Sequence, residues 1–543
     1  MTVTSDTATA VIPFTSGRSG TSVTYAAEGR TGGLLALVPG TAGLLTVAAL
    51  GIALLLLLII KVRLQPFVAL LAVSVAVGLG AGLSVTELFG TVQKSGAVPL
   101  VEAGMGGTLG HIAVIIGLGT MLGSVLEVSG GAEALSARLL ALFGERRAPL
   151  AMGVTGVLFG IPVFFDVGIF VLAPIVYAAA RRSGKSILLY ALPMLAGLSM
   201  THAFLPPHPG PVAAAGLLHV DLGWVILMGA AAGLPAVLAA WGYAAWIGRR
   251  VFVPVPADMA EAAEEAKRAV AAQSRAPGER AAPGERAAPE GRAAPGERDA
   301  SESPVAPESP AAPESPAAPE SPVALGTLLA VIGTPLLLIL LATFSSVVFA
   351  PSTGRSVVEF FGHPFVALTI ALLLAYWLLG LRRGWSRASL EAVSTASLKP
   401  VGNILLVVGA GGIFGAVLKG SGVAQALAGT FDGAGLPVIV LAWLLAVVLR
   451  VAQGSATVAI VTTAGIVAPL LSGSGSSQAH LALVIVAVSA GSIFASHVND
   501  GGFWMVAKYF GIPERETLKS WTVLESVLSV AGFAVAGILS VMV

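Results

Sequence analysis

The sequence predicts an all-α polytopic membrane protein, and three observations carry that expectation. Of its 543 residues 56% are hydrophobic and only 11% are charged, against about 25% charged in ordinary soluble domains. The apolar residues fall in continuous runs such as Leu44 to Ile60, long enough to cross a bilayer as a helix and unlike the alternating strands of a barrel. Lys and Arg, finally, gather between alternate runs, as they do in cytoplasmic connections.

In chain order, residues 1–32 are rich in Thr, Ser, Gly and Ala and lack a basic start with a short apolar run; they read as a disordered tail, not a signal peptide. Apolar segments follow near 42–60, 66–83, 108–128, 148–180, 186–220 and 223–247, and again near 324–350, 364–381, 400–419, 436–471, 479–512 and 521–543. Cytoplasmic placement goes to Lys61 and Arg63; to Arg138, Arg146 and Arg147; to Arg181, Arg182 and Lys185; to Arg249 and Arg250; to Arg382, Arg383, Arg387 and Lys399; and to Lys508, Arg515 and Lys519. The connections on the opposite side hold only Lys94, Arg355 and Lys419. Both termini are then external and the central connection cytoplasmic.

Segment lengths decide the rest. One crossing needs about 20 residues and two need about 40, so 148–180 and 436–471 suit neither. Basic residues flank 148–180 on both sides, which makes it a re-entrant hairpin with its tip at Gly160–Gly168. Two arms of about 13 residues would each reach about 20 Å. Residues 436–471 would form a second hairpin from the external face, with Arg450 to Thr457 at its tip. Four prolines between Pro206 and Pro211 forbid a continuous helix over 186–220. Segment 479–512 is expected to break similarly at Ser496–Gly502. Irregular backbone at membrane depth persists only where it lines a cavity or is buried in protein.

Residues 117–136 align without gaps on 409–428, with ten of twenty positions identical, among them Gly117, Gly119 and Gly123. The charge topology makes the two copies cross in opposite senses, the mark of an inverted repeat. Each half, 33–250 and 324–543, then holds five crossing segments and one hairpin. The Pro/Ala/Glu-rich stretch 251–323 joins them as a solvated cytoplasmic linker.

Candidate functional residues are the polar groups placed deep in these apolar segments. Asp166 is the only formal charge between Arg147 and Arg181, and a carboxylate at the bilayer centre costs about 2.5–3.5 kcal/mol on insertion scales. It could bind a coupling proton or pair with a nearby donor. His202 and His208 flank the proline cluster; imidazole titrates near neutral pH and donates to anions, and it also caps exposed backbone. Arg450 could hold a carboxylate through two parallel hydrogen bonds, or pair with Asp166 or Asp500. Around it Gln453, Gly454, Ser455 and Thr457 offer hydroxyl-binding groups and helix N-terminal amides. Thr201, Asn499, Gly160 and Gly168 complete the expected substrate site. His497 and Asp500 join Asp166 and His202 as candidates for proton coupling, although Asp500 could equally cap the helix that follows it. No cysteine is present, which excludes thiolate metal sites and Cys nucleophiles. The remaining pattern contains no metal motif and no nucleotide loop: Ser183-Gly184-Lys185-Ser186 lacks the upstream glycine of a P-loop. The net charge of +1 gives no nucleic-acid signal.

Four stretches, Phe164 to Gly168, His202 to Pro211, Ser496 to Asp500 and Thr517 to Val523, together resemble the gluconate:proton symporter family, within the ion-transporter superfamily built on paired hairpins. The likeness spans both hydrophobic halves. It implies proton-coupled uptake of gluconate or a related sugar acid across the bacterial inner membrane, without a cofactor and without enzymatic turnover. Members often carry Glu where Asp166 stands. The expected partners are a small sugar-acid anion, a proton and the lipid bilayer, and homo-oligomers are compatible with this reading. A sodium-coupled carboxylate carrier is the rival within transport. An intramembrane hydrolase using Ser, His and Asp, and a channel, are the rivals outside it.

Overall fold

The computed structural model describes residues 40–90, 98–256, 323–399, 401–424, 426–427, 437–472 and 474–543. The expected tail 1–32, Lys94 and nearly all of the linker 251–323 lie outside these residues. The described chain is all-helical. Its first part holds α1 (Thr41–Leu56), α2 (Pro66–Gly80), α3 (Val85–Phe89), α4 (Leu100–Val128), α5 (Gly131–Phe143), α6 (Ala148–Gly160), α7 (Phe165–Ser183), α8 (Leu188–Phe204), α9 (Pro209–Leu218) and α10 (Leu222–Arg250). The second holds α11 (Leu325–Val348), α12 (Thr353–Gly362), α13 (Pro364–Ala375), α14 (Arg387–Ser397), α15 (Val401–Gly420), α16 (Val438–Gln453), α17 (Ala456–Leu471), α18 (Gln478–Ser492), α19 (Gly501–Tyr509), α20 (Glu514–Thr517) and α21 (Val523–Ser540).

Among the described residues, eight helices are long and apolar enough to cross a membrane. One expected crossing falls short on its own: α2 has 15 residues, below the roughly 20 needed, while α18, also of 15, is the first part of the segment expected to break. Chemistry at the ends explains where helices start. Gln65 caps α2 with Pro66 behind it, and Ser352, Ser386, Ser455 and Ser477 accept from first-turn amides of α12, α14, α17 and α18. The caps at Ser352 and Ser386 also turn two expected connections into short surface helices.

Burial sorts the helices into an inner and an outer set. In its most apolar 18 residues the α8–α9 stretch has 94% of residues buried, against 28% in those of α11, which leaves Leu329, Leu337, Leu341 and Phe344 exposed, as a lipid-facing helix requires. Packing recurs in matched pairs: α6 lies against α8 as α16 lies against α18, and α9 lies against α17 as α19 lies against α7. Helices α4 and α15 pack together, as do α10 and α21.

The glycines shared by 117–136 and 409–428 have a steric reason. A Cβ on Gly123 would sit 2.2 Å from the Pro162 carbonyl oxygen, and one on Gly411 would sit 2.9 Å from a Val461 methyl. Each copy therefore admits a neighbouring chain at backbone distance. Without a hydrophobic driving force between helices in lipid, such small-residue contacts supply the packing energy.

Candidate functional site

Two turns, one helix break and the end of α8 meet around one cavity. The chain turns between α6 and α7 at Ile161–Phe164, and between α16 and α17 at Gly454–Ser455. It opens between α8 and α9 at Leu205–His208, and between α18 and α19 at Ile493–Asp500. Three helices, α7, α17 and α19, bring their N-termini to the cavity wall through Phe164–Asp166, Ser455–Thr457 and Asp500–Gly502. The cavity measures about 400 Å³, within the range of small-molecule sites.

The wall on the second-hairpin side is a connected polar network. Arg450, 5% exposed, bridges the Gly454 carbonyl oxygen and the Asp500 carboxylate. Asp500 also accepts from the Ser496 hydroxyl and, at 2.9 Å, from the Gly502 amide, so it caps α19. Trp521 Nε1 donates to Ser496 Oγ at 2.8 Å, and Thr522 donates to the Ser496 carbonyl. The chain of bonds thus runs from the second turn, through the break before α19, to the π-helical turn Leu518–Thr522 that leads into α21. Gly454 has φ +83°, and a Cβ there would lie 2.2 Å from the Asn499 carbonyl oxygen; only glycine lets the turn reach the break.

The first-hairpin side is built differently. Phe164 and Phe165 contribute rings, with Phe165 stacked on Trp521 at a centroid separation of 5.5 Å. Asp166, in the first turn of α7, is exposed, and its side chain makes no ion pair or hydrogen bond among the described residues. His202 and Ser199, one turn apart on α8, complete this wall.

Four side-chain atoms that line the cavity are buried without a partner in the protein: His202 Nδ1, Arg450 Nε, Gln453 Oε1 and Glu525 Oε1. Nine such atoms occur among the described residues, so nearly half of them surround one cavity. Buried polar groups are otherwise almost always paired. A wall of this kind suits a ligand rich in hydroxyls and carrying a carboxylate.

Comparison with known proteins decides the family. The family model described as "GntP family permease" matches residues 43–281 and 301–542. The chain belongs to the GntP permease family. This GntP-family chain is 40% identical to the inner membrane permease YgbN of Escherichia coli (strain K12), over 91% of its own length and 98% of that protein. It is 36% identical to a gluconate permease of Bacillus subtilis (strain 168), over 92% and 100% of the two chains, and 33% identical to the Gnt-II system L-idonate transporter of E. coli K12, over 90% and 97%. Among solved structures, the YdaH transporter of Alcanivorax borkumensis shares the fold, with a TM-score of 0.52, 17% identity, and 82% and 88% of the two chains covered. The resemblance carried by the sequence motifs therefore holds, and the relatives are permeases and transporters, not hydrolases.

The structure brings together Asp166, His202, Arg450, Gln453, Gly454, Ser455, Thr457, Asn499 and Asp500 on this permease's cavity wall. Four expected site residues are placed elsewhere. The Thr201 hydroxyl bonds back to the carbonyls of Gly197 and Leu198, at 3.0 Å each, and its side chain packs against Gly160. Gly160 is buried under α8, with its carbonyl oxygen 2.6 Å from His208 Nε2. Gly168 packs against the Leu198 side chain, and His497 Nδ1 is taken by the Ala495 carbonyl at 2.7 Å. The first three are contact residues of the first hairpin against α8, and His497 folds back on its own break. Arg450 meets Asp500, not Asp166, which settles its two alternative ion pairs.

Sequence reading missed Glu525, Ser199 and Trp521. Glu525 is 2% exposed and is the only acidic residue in Val523–Ser540. The test that singled out Asp166, a lone charge in an apolar run, finds Glu525 as well. Its nearness to Glu516 and Lys519 in sequence disguised it as an end-of-helix charge.

Proposed function

We propose that this chain is a secondary transporter that carries gluconate or a related sugar acid inward across the bacterial inner membrane together with protons. The observation that supports it most is the meeting of three helix N-termini at one cavity beside the unpaired Nε of Arg450. First-turn amides and the positive end of the helix dipole favour an anion there. The carboxylate would lie between Arg450 Nε and the amides that follow Ser455. Gln453, Ser455, Thr457 and Asn499 would meet hydroxyls, and His202 Nδ1 a further one. Relatives named for gluconate and for L-idonate, both polyhydroxy monocarboxylates, point to the same ligand class.

In this reading the two halves are inverted repeats, the hairpins 148–180 and 436–471 enter from opposite faces, and the hairpin-bearing parts move past a scaffold to alternate access. Both termini are external and the linker 251–323 is cytoplasmic. Proton coupling needs a titratable group in the cavity, and the wall offers Asp166, His202, Asp500 and Glu525.

Purified protein in proteoliposomes tests the reading. With a proton gradient imposed inward and choline replacing sodium, labelled gluconate should accumulate above its external concentration, and a panel of sugar acids should compete in order of affinity. Accumulation that appears only with sodium would transfer the reading to a sodium-coupled carrier. Chemical conversion of gluconate in detergent would end the transporter reading.

A further inference from the structure

We propose that Glu525, on α21, is the group that carries the coupled proton. The proposal rests on the proton-coupled reading above and selects one among the four titratable residues of the cavity. Glu525 is 2% exposed and lines the cavity. Its Oε2 accepts from the Ser199 hydroxyl at 2.8 Å, and its Oε1 is buried with no partner in the protein. No ion pair reaches it among the described residues; the one buried cation beside the cavity, Arg450, is committed to Asp500. A buried carboxylate held by a single hydroxyl, with the nearby Arg450 already paired to Asp500, is poorly stabilised as an anion. Protonated, it loses the charge that burial penalises.

The other three are worse placed. Asp500 is held by Arg450, the Ser496 hydroxyl and the Gly502 amide, so protonating it would break the network that ties the second turn to α19. Asp166 is exposed in this conformation, so a proton on it is not held apart from solvent. His202 sits with its ring centroid 4.8 Å from that of His208, and a charged imidazole there faces Arg450 across the same cavity. Of the remaining helices packed on α21, α10 carries Tyr243, Arg249 and Arg250 near its C-terminus and α18 carries only His480 in its first turn. None of these lines the cavity. On α21's own approach, Glu516 is paired with Lys519.

The transfer is simple in its balance. A proton from external water forms an O–H bond at Glu525 Oε1 and the side chain goes from anion to neutral acid. The sugar acid enters as an anion, so the occupied cavity gains one proton and one negative charge together. After the change of access, cytoplasmic water takes the same proton and the carboxylate returns.

Proteoliposomes containing a trapped pH-sensitive dye test this directly. Wild-type protein should acidify the lumen when gluconate is added outside. Glu525→Gln, which copies the neutral acid, should exchange labelled gluconate across the bilayer without pH dependence, with no acidification and at least a tenfold loss of accumulation. Absence of acidification by the wild type would defeat proton coupling itself. Acidification by both proteins would leave coupling intact and overturn the role of Glu525. If Glu525→Gln does not insert, Ser199→Ala decides: removing the donor to the charged form should move the pH profile of uptake about one unit to higher pH, and an unmoved profile overturns the proposal.

Discussion

The two turns that face each other across the cavity are held by different physics. The turn at Ile161–Phe164 is fixed by steric fit: Gly156 and Gly197 let α6 and α8 approach so closely that a Cβ on Gly156 would lie 2.2 Å from the Met194 carbonyl oxygen. The turn at Gly454–Ser455 is fixed by charge and hydrogen bonds, through Arg450, Asp500 and Asn499, whose side-chain amide donates to the Val451 carbonyl at 2.7 Å. Close-packed backbone leaves little polar surface to offer a ligand, whereas a polar network can exchange partners with one. In the transport reading proposed above, this contrast would give substrate contact mainly to the second turn and its neighbours, and a positioning task to the first.

The largest effect expected from breaking this contrast is at the ion pair. Arg450→Leu leaves the largely covered Asp500, 12% exposed, without its cation and should destabilise the protein by about 3 kcal/mol, seen as a lower melting temperature in detergent together with loss of uptake. The double variant Arg450→Leu/Asp500→Asn should recover most of the melting temperature and none of the uptake. Equal melting of the single and double variants would show that the pair does not hold the turn.

A smaller effect is expected at the first turn. Gly160→Ala puts a Cβ 2.2 Å from Thr201 Oγ1 and should cost about 1–3 kcal/mol by overpacking. Adding Thr201→Ala should return part of that loss, while the affinity for gluconate in folded protein stays within a factor of about three, roughly 0.7 kcal/mol. A large affinity change in that double variant would put Thr201 back among the substrate contacts. Smallest of all, Asn499→Ala removes one exposed hydrogen bond, about 0.5–1.5 kcal/mol, and should raise the gluconate KM more than it lowers the melting temperature. The reverse pattern would make Asn499 a purely structural residue.

Much of this arrangement was legible in the sequence, for reasons that are specific. Segment lengths and basic flanks located the interruptions in the helices: the first turn lies within Gly160–Gly168, the second within Arg450–Thr457, and the prolines after Phe204 end α8. Identity between 117–136 and 409–428 pointed to glycines that the packing now explains. Side-chain direction was not legible. Thr201 and His202 are neighbours in the sequence, yet a helix turns one toward the first hairpin and the other toward the cavity, and no spacing rule reveals which until α6 is in place. Polar type alone also grouped His497 with Asp500, although the break sends only one of them to the wall. Glu525 escaped because a carboxylate two residues into a helix looks like an N-terminal charge in solvent until α8 and Ser199 cover it.

The most direct test of the central claim is accessibility at the cavity wall. The chain has no cysteine, so Thr457→Cys introduces a single thiol at the N-terminus of α17, and Ser474→Cys supplies an exposed control outside the cavity. Saturating gluconate should slow maleimide labelling of position 457 at least fivefold and leave position 474 unchanged. Labelling of position 457 at the same rate with and without gluconate would contradict the account, because the sugar acid would then bind somewhere other than between the two turns.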